Sequence, residues 1–136
     1  MSHASAALRD AVHASLMSDA MLTSLLGGAK IYDEPPRGAA MPYVTFGDAR
    51  VSDAATDDSA LEEHTLVLHC WSRQGGRREA QTLVGALLQA LDDAPLTLAG
   101  FQLVNLRFSL ADIRREADGR TYRALVRFRA LTEPTS

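Results

Sequence analysis

The sequence predicts an α+β domain: a mostly antiparallel sheet of four to five strands with helices packed on one face. Three observations lead there. In "RREAQTLVGALLQALDD", Ala80, Leu83, Val84, Leu87, Leu88 and Leu91 recur at helical spacing. Two long runs near the C-terminus, "FQLVNLRFSL" and "TYRALVRFRAL", alternate with strand period and flank "ADGR", whose Asp118-Gly119 supplies hairpin chemistry. The order helix, helix, strand, strand, helix, strand, strand joins long strands by short turns, as antiparallel sheets do.

Along the chain, residues 5–17 set Leu8, Ala11, Val12, Ser15 and Leu16 on one helical face. Ser18-Asp19 reads as a fresh N-cap before "AMLTSLLGG", where Leu22, Leu25 and Leu26 form a short apolar stripe ended by Gly27-Gly28. A brief extended piece fits Lys30–Asp33, and Pro35-Pro36 then bars a helix or an inner strand. "YVTFGDARV" is a strand bounded by Pro42. Residues 51–61 are small, acidic and aperiodic, so a mobile loop is expected there. In "EHTLVLHCWS", Leu66, Leu68 and Cys70 face one way and Val67, His69 and Trp71 the other. Ala94-Pro95 stops the long helix.

The 136 residues suit a single domain, 1–136. A net charge of −3 argues against a dedicated nucleic-acid binder, and one cysteine excludes an internal disulfide or a multi-cysteine zinc site. No apolar run approaches the roughly 20 residues that cross a bilayer. "MSHASAALRDAVHASL" lacks the basic start and continuous apolar block of a signal peptide, which leads to the expectation of a cytosolic fold. Thirteen of the fourteen basic residues are arginine, whose planar fork suits interfaces with carboxylates.

The densest chemistry lies in "HTLVLHCWSRQGGRREA", which holds two histidines, the only cysteine and the only tryptophan. Strand geometry dismantles it as a site. His64 and His69 differ by an odd number and point to opposite faces, as do His69 and Cys70. His64 and Cys70 share a face but stand roughly 20 Å apart at about 3.3 Å per residue. "RQGGRREA" lacks the Lys-Ser/Thr of a phosphate loop, so its glycines serve a strand-to-helix turn. No catalytic, cofactor-binding or metal-ligating residue is assigned. Arg77 and Arg78 do stand at a helix N-terminus, where the macrodipole disfavours cations, and this marks them as interface candidates.

Charge is arranged more tellingly in the last two strands. Tyr122, Ala124, Val126, Phe128 and Ala130 alternate with Arg123, Arg127 and Arg129, while Val104, Leu106, Phe108 and Leu110 alternate with Asn105 and Arg107. One face belongs on the helices, and the other presents arginines about 6.6 Å apart along the strand. An RNA-binding sheet would place aromatics among them, yet Tyr122, Phe128 and Phe108 take the core side. Carboxylates of a neighbouring chain fit better, and Asp53, Asp57, Asp58, Glu62 and Glu63 are an available complement.

"YVTFGDA", "EEHTLVLHCWSRQGGRREAQTL", "LDDAPLTLAGFQLVNLRF" and "RREADGRTYRALVRFRALTEP" resemble the small tail-completion proteins of siphophages and gene transfer agents. The resemblance spans nearly the whole chain. It implies a tail-terminator subunit, α+β in fold, that forms a homohexameric ring capping the tail tube at the neck, with no cofactor and no catalysis. The implied partners are further copies of the chain, the major tail tube protein and a neck or stopper protein, with no membrane and no sequence-specific nucleic acid. The implied place is the tail–neck junction of a phage-like particle, and the bacterial cytoplasm during assembly. The alternatives are another neck component (stopper or adaptor) and a small α+β enzyme or ligand-binding domain, for which a pocket joining His69 or Cys70 to a carboxylate would speak.

Overall fold

The computed structural model describes residues 4–135; residues 1–3, at the head of the stretch tested for a leader, and Ser136 lie outside the described residues. The helices are α1 (Ala4–Met17), α2 (Ala20–Leu26) and α3 (Arg78–Leu91). The strands are β1 (Ile31–Tyr32), β2 (Tyr43–Asp53), β3 (Glu62–Ser72), β4 (Phe101–Arg115) and β5 (Tyr122–Pro134). They form one sheet in the order β1-β2-β3-β5-β4. β1 runs parallel to β2 and every other pair is antiparallel, so the expected α+β class holds, with a short parallel edge.

Local chemistry explains the boundaries. The Asp19 side chain accepts a 2.9 Å hydrogen bond from Leu22 N and caps α2. Gly27, at φ 77°, closes that helix in the left-handed conformation that a side chain disfavours. α3 ends at Asp92, whose N–H donates to the Leu88 carbonyl, and Pro95 comes three residues later. Leu83, Leu87 and Leu91 of α3 are buried with Leu8, Val12 and Leu16 of α1 and Leu22 and Leu26 of α2. The same cluster takes in Leu66, Leu68 and Cys70 of β3, Leu106 of β4, and Ala124, Val126 and Phe128 of β5. Each fully buried Leu or Phe contributes about 1.5–3 kcal/mol, so this cluster dominates the stability.

Two expectations are corrected. The loop expected over 51–61 is shorter at its start: β2 runs to Asp53, which pairs with Glu62 at the start of β3, so 51–53 are strand. Only 54–61 connect them, and this connection is closed by Ala54 N to Leu61 O and Thr56 N to Ser59 O, both 2.9 Å. Acid-rich strand ends escaped notice because their side chains are nearly all exposed, which removes the apolar alternation that reveals a strand.

The simple even–odd division of 101–110 also fails. β4 extends to Arg115 and carries register irregularities at Leu103/Asn105 and Phe108/Leu110. Each extra residue flips the phase of the strand beyond it. Leu106 and Phe108 keep the core side, opposite Ala130 and Phe128, but Leu110 pairs with Arg127 and so joins the arginine face. Val104 lies 46% exposed. Past the second irregularity Ala111 and Ile113, opposite Val126 and Ala124, return to the core side.

A third irregularity falls between Phe46 and Ala49 of β2. A Cβ on Gly47 would lie 2.6 Å from His69 Nε2, so any larger residue there would have to displace that ring.

Cys70 is fully buried, opposite Val44 and Ala124, and burial pushes its thiol up to about 12. Cys70→Val should therefore leave folding and assembly intact, and Cys70→Ala should cost about 1–2 kcal/mol through the cavity. The native thiol should resist alkylation at pH 8 until the chain unfolds. Reaction of folded protein within minutes would contradict this placement.

Asp118 anchors the β4–β5 turn. Its carboxylate accepts from Thr121 Oγ1 at 2.7 Å, Thr121 N at 2.8 Å and Arg120 N at 2.9 Å. These bonds hold its pKa well down, to about 2. A depressed carboxylate stabilises the fold above the ordinary carboxylate range, and that stabilisation disappears as pH falls towards 2. Asp118→Asn should lower Tm at pH 7, with the difference from wild type closing between pH 4 and pH 2. A difference constant across that range would refute the assignment.

Candidate functional site

The helices cover one face of the sheet, and pairing carries the other face's residues across four strands in rows. One row is Arg50, Thr65, Arg129 and Arg107, from β2 to β4. Next to it stand Val67, Arg127 and Leu110, then Thr45, His69, Leu125 and Asp112, then Tyr43, Trp71, Arg123 and Arg114. Neighbouring strands are about 4.8 Å apart, so Arg107 with Arg129 and Arg114 with Arg123 are like charges directly opposite each other, an unfavourable arrangement.

Carboxylates of the same chain answer some of these charges. Arg123 Nε lies 2.9 Å from Glu116 and Arg114 Nε 2.9 Å from Asp112. Arg107 Nε lies 3.7 Å from Asp92. Arg123 also stacks over the Trp71 ring at 5.5 Å. Arg123 and Arg107, taken from sequence as open to a neighbouring chain, therefore have partners within their own. Arg50, Arg127 and Arg129 have no carboxylate within 4 Å among the described residues. These three line one open depression of about 570 Å³ together with Asp48, Ala49, Thr65, Val67 and Leu125. Arg127 Nε is buried there with no hydrogen-bond partner among the described residues.

The far end of this face is aromatic. Tyr43 meets Trp71 at 6.4 Å and Tyr32 at 5.7 Å, and His69 meets Trp71 at 6.1 Å. Trp71 Nε1 donates to Thr45 Oγ1 at 2.9 Å. Aromatics do share the arginine face, then, contrary to the reading from the last two strands alone. They come from β1, β2 and β3, whose place beside β5 the sequence does not disclose.

Neither histidine meets the cysteine. His69 and Cys70 point to opposite faces, and His64 Nε2 is held 2.9 Å from Thr132 Oγ1 within the core. Burial, followed by Arg123, lowers the His69 pKa against the opposing pull of Asp48 and Glu116, favouring the neutral ring. Among the described residues, no three of His, Cys, Asp and Glu gather with the spacing of metal ligands.

The remaining candidates lie away from this depression. Arg77 caps α3 without a side-chain cap bond and sits 5.4 Å over the Tyr122 ring, which explains a cation at that position. Arg78 is exposed beside it. Asp57 and Asp58 occupy the 54–61 connection, with Asp53 and Glu62 at its base and Glu63 one pair further in, opposite Ser52. Sequence reasoning missed Arg50. Its strand shows no continuous alternation, because the irregularity at Gly47-Asp48 interrupts it.

A family model for tail completion protein gp17 matches residues 10–133. Tail completion protein gp17 of Bacillus phage SPP1 is 31% identical over 128 residues, covering 93% of this chain and 92% of that protein. A chain in the virion of a native gene transfer agent particle superposes with a TM-score of 0.88 at 35% identity, over 97% of this chain and 99% of the other. The structure of bacteriophage SPP1 gp17 superposes with a TM-score of 0.67 at 29% identity, over 95% and 91%. Fold, length and sequence agree from end to end, and the chain belongs to the tail completion protein gp17 family.

Proposed function

We propose that this chain is a structural protein of the tail–neck region of a phage-like particle. There its copies form a ring that ends the tail tube and joins it to the neck. The observation that carries the reading is the match along 97% of the chain to a protein within a gene transfer agent virion. The sheet supports it physically. One face is spent on the core, while the other carries three arginines with no carboxylate within 4 Å among the described residues, a costly surface for a lone subunit and a useful one for an assembled one. Head-to-tail contacts between identical subunits close into rings when the rotation allows. The partners are further copies, the major tail tube protein and a neck or stopper protein. Its role is to bind and hold, with no catalytic step.

A cap that ends polymerisation and a stopper that acts after it differ in what their absence does. Particles produced without this chain should contain tubes of excessive and variable length, unattached to heads, by electron microscopy. Tails of normal length that merely fail to join heads would move the chain to a stopper or adaptor role. Normal tails on normal heads would remove it from the junction altogether.

A further inference from the structure

We propose that the acidic tip of the β2–β3 hairpin of one copy docks into the Arg50–Arg127–Arg129 depression of the next. This rests on the ring reading above and names the contact that builds the ring. Asp48 is the one carboxylate lining the depression, and none lies within 4 Å of its three guanidinium groups among the described residues. Arg129 faces Arg107 across the strand pair, and Arg127 Nε is buried with no hydrogen-bond partner among the described residues. Desolvated arginine is strongly favoured by a carboxylate partner, and its fork matches one bidentately.

The complementary charge is on the same chain, in and around the hairpin tip. From Val51 to Ser72 there is no Lys or Arg, while Asp53, Asp57, Asp58, Glu62 and Glu63 all fall between them. Asp57 and Asp58 are exposed and have no cation within 4 Å among the described residues. Asp53 already lies about 10 Å along the strand from Arg50, at about 3.3 Å per residue, and the connection continues beyond it. The hairpin extends the sheet instead of folding over it, since Asp53 and Glu62 are still paired at its base. The tip therefore points away from its own depression and towards a neighbour's. Such a contact uses two different patches of each copy, which is the heterologous kind that yields a ring and not a two-fold dimer.

Charge exchange tests it, with the assembled fraction read by light scattering of the chain mixed with the tail tube protein, and circular dichroism confirming that each variant folds. Arg127→Glu with Arg129→Glu should reduce assembly at least tenfold, and so should Asp57→Arg with Asp58→Arg. The chain carrying all four changes should recover to within about twofold of wild type, because its reversed tip again meets a reversed depression. Should a reversed chain fail to fold, Arg127→Gln with Arg129→Gln and Asp57→Asn with Asp58→Asn replace them. The two neutral pairs combined should then lose no more than either alone, since both remove the same contact. Assembly of either pair at the wild-type level overturns the proposal. So does a four-change chain no better than the worse pair, or neutral pairs whose losses multiply. Wild-type chain that stays monomeric beside the tube protein overturns the ring itself, an outcome distinct from these.

Discussion

The burial of a single face of β3 and β5 beneath the helices is the constraint on which the rest of the molecule depends. Leu66, Leu68, Cys70, Val126 and Phe128 alternate along those two central strands and can be covered only from one side. Strand geometry then sends every intervening residue to the opposite side, whatever its chemistry. The cluster of arginines is the direct consequence: Arg123, Arg127 and Arg129 cannot leave the outer face without dragging Ala124, Val126 and Phe128 out of the core.

Irregular registers modify this scheme in β2 and β4. At Gly47-Asp48 an interruption in β2 returns Ala49 to the core side and aims Arg50 at the row that holds Arg129 and Arg107. The same glycine makes space for the His69 ring. On the opposite edge, the irregularity at Phe108/Leu110 places Leu110 beside Arg127 on the outer face. Irregular pairing re-aims side chains without disturbing the ladder on either side, and here it brings a cation of β2 to the two of β5 around one hollow.

The outer charges divide into two groups with different roles. Arg107, Arg114 and Arg123 are answered by Asp92, Asp112 and Glu116, all at partly or largely exposed positions where such pairs contribute about 0–1 kcal/mol. They make the sheet tolerable to itself. Arg50, Arg127 and Arg129 have no carboxylate within 4 Å among the described residues, and Asp57 and Asp58 at the hairpin tip have no cation. The two surpluses stand in separate places of the subunit, and this separation is the premise of the contact proposed between copies.

Much of this was determined by the sequence alone. The period of 80–91, the Asp19 cap and the alternation of 122–131 are local signals, and each produced the element expected. The separation of His69 from Cys70 came from parity along one strand. Tertiary structure decided what parity within one strand cannot reach. The order β1-β2-β3-β5-β4 placed Arg50, Tyr43 and Trp71 on the face of Arg127, because sheet neighbours are chosen by burial across the whole fold. The irregularities in β2 and β4 lack a sequence signature of their own, since one unpaired residue leaves composition unchanged. Which arginines find a carboxylate at home was likewise settled only when distant strands and turns came within a few ångströms, a question of distance that residue order does not contain.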